Sequence, residues 1–142
     1  MRRLFIMRKD LQMSPGKLAA QVAHCAEAYW TRFIQNNTFF DTEAEEYFVN
    51  GLLNTNEYQN YINDRFVKTI CEARNKNHLL KAVEKAKELG LKENIDFGII
   101  QDVCLTELTP EEDDGTTITG VWFKPLPDDI AHEISKKYQL YH

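Results

Sequence analysis

The stretch RRLFIMRKDLQMSPGKLAAQVAHCA, residues 2–26, decides the fold, because it holds a strand, a turn and the start of a helix in sequence. Leu4-Phe5-Ile6-Met7 is an unbroken apolar run between charges, the pattern of a strand buried on both faces. Ser14-Pro15 reads as a helix start. The serine suits the N-cap, and the proline suits the first helical position, where a missing N–H costs nothing. The spacing predicts a helix from Pro15 to the Asn36-Asn37 pair. At 100° per residue Lys17, Gln21 and His24 fall within about 60° of one another, so three polar side chains share one stripe. Leu18, Val22, Cys25, Tyr29 and Phe33 gather on the other side as the core face, and Ala19, Ala20, Ala23 and Ala26 keep the flanks thin.

Two readings of that stripe stand side by side. It can be the wet face of a surface helix. It can also wall an anion site, since Lys17 stands in the first turn, where the helix dipole disfavours a cation. An ammonium beside free N–H groups can hold a phosphate or an oxyanion.

Further along, Thr38–Arg65 is rich in Asn, Glu and aromatics and reads as one or two short helices broken at Gly51. Phe66–Ala73 alternates as a second strand. Asn77 is a candidate cap for a helix through Leu89, with Gly90 as its stop. Phe97–Val103 and Thr117–Phe123 are the third and fourth strands, joined by the polar loop TPEEDDG. A last helix follows Pro127 and ends near Tyr138. The order β-α-(α)-β-α-β-β-α, without repeats or linkers, predicts a single α/β domain over residues 1–142 with a mixed sheet.

With 142 residues, 43% of them hydrophobic, the chain is long enough to bury a core without staples. No run approaches the ~20 apolar residues of a membrane span, and the four-residue N-terminal run is too short for a signal peptide. Three cysteines without paired spacing fit reduced thiols in a cytoplasmic protein. The net charge of −5 is unevenly spread: residues 1–36 carry +4, 37–65 carry −5 and 66–142 carry −4. The basic end is the end with the polar stripe, which permits a phosphate-bearing ligand there.

Gln101-Asp102 closes an apolar strand, where a carboxylate either caps a turn or serves a site. Thr106 and Thr117 lie nearby in sequence and look, singly, like ordinary β-formers. Cys104 lacks an evident histidine partner for nucleophilic work. His78, His132 and His142 have no ligand spacing, so no metal is expected. Glu111–Asp114 reads as a solvated turn, and Tyr29-Trp30-Phe33 as core rather than a base-stacking platform.

RKDLQMSPGKLAAQVAHCA, KAKELGL, IIQDVCLTEL, GTTITGVW and KKYQLY, in that order, resemble the type 2 peptidyl-tRNA hydrolases of archaea and eukaryotes. The resemblance covers most of the chain except residues 38–65, which look like a longer acidic insertion. It implies a four-stranded mixed sheet with helices on both faces, commonly in a homodimer. It also implies hydrolysis of the ester between a peptide and the tRNA 3′ end, without cofactor. By the same resemblance Lys17, Asp102, Thr106 and Thr117 are catalytic. Gly16, Gln21, His24 and Gln101 are expected at substrate.

Two departures stand out. The pattern Met-Gly-Lys-Gly-Lys is here Met13-Ser14-Pro15-Gly16-Lys17, and Asp-Ala-Gly-Arg-Thr is here Asp102-Val103-Cys104-Leu105-Thr106. Two cations are gone from positions where a tRNA backbone is expected, and each lost contact lowers the salt slope of binding by about one. A non-catalytic relative that binds protein through residues 38–65, or a hydrolase for another small ester, are the alternatives.

Overall fold

The computed structural model describes residues 1–142. Strand β1 (Arg3–Arg8) is central and buried at every position. It pairs in parallel with β4 (Lys68–Ala73) and antiparallel with β6 (Thr117–Phe123), which pairs antiparallel with the edge strand β5 (Phe97–Asp102). The mixed four-stranded order is β4-β1-β6-β5. Helices cover both faces, as expected for an α/β fold.

One face carries α1 (Pro15–Asn36), packed on Phe5, Met7 and Trp122 through Cys25, Val22 and Tyr29. Two glycines make room for the Trp122 and Met7 side chains to lie across the neighbouring strands on this face. A Cβ on Gly98 would come within 2.6 Å of the Trp122 indole, and one on Gly120 within 2.7 Å of the Met7 side chain. The other face buries Leu4, Ile6, Val121 and Phe123 under α3 (Lys76–Glu88) and α4 (Asp128–Ser135). The cap of α3 is Asn75, two residues before the expected Asn77, and its side chain accepts from the His78 N–H at 2.8 Å. Gly90 ends the helix with φ +82°.

Arg3 belongs by sequence to the basic N-terminus, yet it is fully buried. Its guanidinium donates to Phe123 O at 2.9 Å, Ala26 O at 2.6 Å and Cys25 O at 3.0 Å, clamping α1 to the sheet. Burial lowers its pKa.

Residues 38–65 correct the helical expectation. Thr38–Asp41 (β2) and Glu46–Val49 (β3) form a separate two-stranded hairpin, with Phe39 opposite Phe48 and Phe40 opposite Tyr47. Helical structure is confined to α2 (Thr55–Glu57) and one π-type turn at Tyr58–Ile62. Tyr29 Oη, donating to Glu57 at 2.7 Å, ties this part back to α1. Trp30 and Phe33 are only half-buried and line an open apolar groove with Ile34, Leu53, Tyr61 and Phe66. They are therefore not interior core residues.

Candidate active site at the carboxyl end of β5

β1, β4 and β5 all point the same way, so Arg8, Ala73 and Asp102 end at one edge of the molecule. α1 starts at that same edge. Ser14 caps it, its hydroxyl accepting from the Lys17 N–H at 3.3 Å, with Pro15 at the first position. This places Lys17, in the first turn, against the end of β5.

Lys17 Nζ donates to Asp102 Oδ1 at 2.7 Å, and Gln21 Nε2 donates to the same oxygen at 3.1 Å. The Cys104 N–H donates to Oδ2 at 3.0 Å. Both charged side chains are nearly closed off, at 14% exposure for Lys17 and 9% for Asp102. Burial pulls the Asp102 carboxyl upward, but the Lys17 ammonium, the Cys104 N–H and the Gln21 amide outweigh it and hold the pKa below its ordinary value. Asp102 is therefore ionised at neutral pH. A carboxylate offers about four lone-pair positions. Two donors fill Oδ1 and one occupies Oδ2, so the remaining position is on Oδ2.

Gln21 is one of only two fully enclosed side chains of α1. Its amide is oriented by Thr119, whose Oγ1 donates to Gln21 Oε1 at 2.7 Å. That bond turns the NH₂ group toward the carboxylate. Sequence reasoning missed Thr119, and the cause is a β-bulge. Ile100 pairs with Gly120 and Gln101 with Ile118, leaving Thr119 as the extra residue of β6. Below the bulge Trp122 faces α1 while Val121 and Phe123 face the other core. Simple alternation would then send Thr119 away from α1 and Ile118 toward it. The bulge reverses both: Ile118 joins the core and Thr119 reaches Gln21.

The expected site residues divide. Lys17, Gln21 and Asp102 meet directly. Thr117 sits opposite Asp102 in the β5–β6 register, but its hydroxyl donates to Thr109 O at 2.6 Å and accepts from the Glu111 N–H at 3.1 Å. It holds the loop over the site. Thr106 is exposed on the chain after β5, and a Cβ on Gly16 would meet nothing within 4 Å, so the helix start beside Lys17 is bare. His24 leaves the stripe. It lines, with Gln101, Ala28, Thr31 and Arg32, an open groove of about 430 Å³ between α1 and the edge of β5. Gln101 donates to Thr116 Oγ1 at 3.0 Å. Ala19, Ala20 and Ala23 are exposed and give α1 a low profile beside Lys17.

Two further features belong to the site. Cys104 has φ +58°, the left-handed conformation that glycine adopts freely, at the position where the resembling pattern carries glycine. That conformation is what aims its N–H at Asp102. Glu107 reaches back to the start of α1, accepting from the Ser14 N–H at 2.7 Å and the Ser14 hydroxyl at 2.6 Å. No group of three His, Cys, Asp or Glu side chains is placed to hold a metal ion. No helix is long and apolar enough to cross a membrane.

The arrangement combines an ionised, oriented carboxylate with an ammonium that has donors to spare, which suits activation of a water and stabilisation of an oxyanion. The family model described as peptidyl-tRNA hydrolase PTH2 matches residues 1–141. The chain is similar to the peptidyl-tRNA hydrolase of Sulfolobus acidocaldarius, 29% identical over 99% of each chain. It is 30% identical to that of Staphylothermus marinus, over 98% of this chain and 93% of the relative. It is 27% identical to that of Thermococcus sibiricus, over 98% and 96%. In fold it is similar to a solved protein of unknown function from Agrobacterium tumefaciens strain C58, with a TM-score of 0.51, 10% identity and coverage of 99% and 97%.

Proposed function

The chain belongs to the peptidyl-tRNA hydrolase PTH2 family and is a hydrolase, and from that premise we propose how it cleaves the ester between a peptide and the tRNA 3′ end. The observation that carries the reading is the 2.7 Å pair of Lys17 Nζ and Asp102 Oδ1, with one lone-pair position left on Oδ2. A water donating to Oδ2 attacks the ester carbonyl. As its oxygen bonds to carbon, its proton passes to Asp102, the general-base step. Lys17 has three N–H donors and spends one on Asp102, so the others are free for the developing oxyanion. The C–O bond to the ribose then breaks, and Asp102 returns the proton to the leaving 3′ oxygen. No cofactor is needed for this sequence.

Gln21 and Thr119 hold the carboxylate in place, and Thr117 holds the loop that covers it. Gly16, Thr106, His24 and Gln101 are the groups we assign to substrate. Because Asp102 is a weak base, much of its contribution is orientation of the water. The test is cleavage of a short-peptidyl tRNA into free peptide and tRNA, with Asp102→Asn as control. Absence of turnover by the unaltered protein, at low salt and high enzyme, rejects the reading.

We further read residues 38–65 as an acidic insertion relative to the family's usual connection and as a contact surface for a protein partner. The exposed aromatic hairpin and the local charge of −5 support this. A homodimer and a cytoplasmic setting accompany the reading. Light scattering of the full chain checks the homodimer, and loss of a captured partner on deleting 38–49 checks the contact surface.

A further inference from the structure

The site itself offers a polyanionic substrate little free positive charge. Lys17 is paired with Asp102, Arg8 with Asp10 and Glu111, and Lys76 with Glu112. Unpaired cations lie elsewhere on the same edge. Arg74 directly follows β4, three strands from Asp102 in the order β4-β1-β6-β5, which is about 14 Å at the usual strand spacing. There a groove of about 470 Å³ opens between α3 and the chain after α4. Of its cations, Lys85 and Lys136 are tied to Glu88 and Glu133, whereas Arg74, Lys81 and Lys137 have no carboxylate within ion-pair distance.

His78 sits on the same wall. Its ring stacks on Tyr138 with centroids 4.4 Å apart, and Tyr138 Oη donates to His78 O at 2.7 Å. Nδ1 accepts from the Arg74 N–H at 3.1 Å, so the ring proton of the neutral form belongs on Nε2, as a donor. Burial, then Arg74 and Lys81, lower the His78 pKa. Glu84 also lines the groove, so its five cations face three carboxylates, Glu84, Glu88 and Glu133, and an excess of positive charge remains beside a fixed donor in a chain whose net charge is −5.

We propose that the groove walled by Arg74, His78, Lys81 and Lys137 holds backbone phosphates of the tRNA acceptor arm while the 3′ end lies at Asp102. The proposal rests on the reading of the site as a peptidyl-tRNA hydrolase. It gives the substrate a second anchor that fixes how the acceptor arm crosses the sheet edge. RNA is favoured over an acidic protein because the groove shares one edge of the molecule with the site that would hold the 3′ end.

The test is the triple variant Arg74→Ala/Lys81→Ala/Lys137→Ala, all at exposed positions. Steady-state cleavage of peptidyl-tRNA is followed across a salt series. The expected result is KM raised at least about tenfold with kcat unchanged, and a salt slope shallower by about two to three. Cleavage of a peptidyl-adenosine, which carries the ester without bridging phosphates, stays at the level of the unaltered protein. In parallel, the His78 pKa of the unaltered protein, followed by NMR, rises when deacylated tRNA is added. An unchanged KM and salt slope in the variant overturns the proposal. So does binding of poly-glutamate as tight as that of RNA of equal charge, which would give the groove to acidic protein. If the unaltered protein binds deacylated tRNA through these three cations but cleaves no peptidyl-tRNA, the groove stands and the assigned activity falls.

Discussion

The end of β5 and the hairpin at 38–49 are opposites. At the first, Lys17, Gln21, Asp102 and Thr119 are each held by another, and the side chains are enclosed. At the second, almost every side chain stands in solvent: Phe39, Phe40, Tyr47, Phe48 and Val49 are all exposed. A two-stranded hairpin has little stability of its own. Chemistry needs the first kind of construction, because a carboxylate displaced by an ångström no longer orients its water. The second kind adds surface without supporting the sheet. Four measurements can break or sharpen that contrast.

The largest effect is expected at Lys17. Lys17→Ala removes the donor to Asp102 and the proposed oxyanion partner together, and should lower kcat on peptidyl-tRNA about 10²–10³-fold. Unchanged turnover would remove Lys17 from the chemistry. Thr119→Val comes next, since it strips the only side-chain bond that orients the Gln21 carbonyl. A buried amide left unpaired costs about 1–3 kcal/mol, read by urea unfolding, and kcat should fall without a matching rise in KM.

The third measurement uses pH. Asp102 has a lower pKa folded than unfolded, so its ion pair stabilises the fold in full above the ordinary carboxylate pKa of about 4. That contribution drains away as pH falls through the lower folded value. The difference in Tm between the unaltered protein and Asp102→Asn should be steady at neutral pH and close on acidification below about 4. A gap that persists in acid would contradict the ion-pair account. The smallest effect is expected in the hairpin, where Phe40→Thr with Tyr47→Thr should move unfolding by about 0.5 kcal/mol or less. A larger loss would mean that the hairpin is packed in solution against something, a second copy included.

Much of this plan is legible in the sequence for specific reasons. Ser14-Pro15 marks the start of α1 because cap and proline satisfy the same end from two sides, and the spacing of Lys17 and Gln21 survives as one stripe facing Asp102. β6 is legible from Thr117 to Phe123 because the segment is β-rich, yet its bulge is invisible. Nothing in TITG distinguishes a strand that alternates evenly from one that skips a residue. Arg3 was hidden for a different reason: burial of a guanidinium becomes tolerable only once three backbone carbonyls converge on it, and those come from positions 25, 26 and 123. In the hairpin, TEAEE has good helical propensity, and it outvotes the flanking Phe, Tyr and Val when strand pairing cannot be seen. The cross-strand pairs Phe39–Phe48 and Phe40–Tyr47, with ring centroids 5.7 and 5.1 Å apart, decide the matter only once the chain has turned.

The bulge at Thr119 also works like a reading frame. Strand β6 is read in one phase from Phe123 back to Gly120 and in the other from Thr119 to Thr117, and one residue joins the two phases. Losing that residue would offer Ile118 to the Asp102 carboxylate and Thr117 to the oily face under α3, corrupting site and core in one stroke. A loss of similar size in the turn at 42–45 touches neither. Insertions and deletions should therefore be common in the hairpin among relatives of this chain and absent between Thr117 and Gly120.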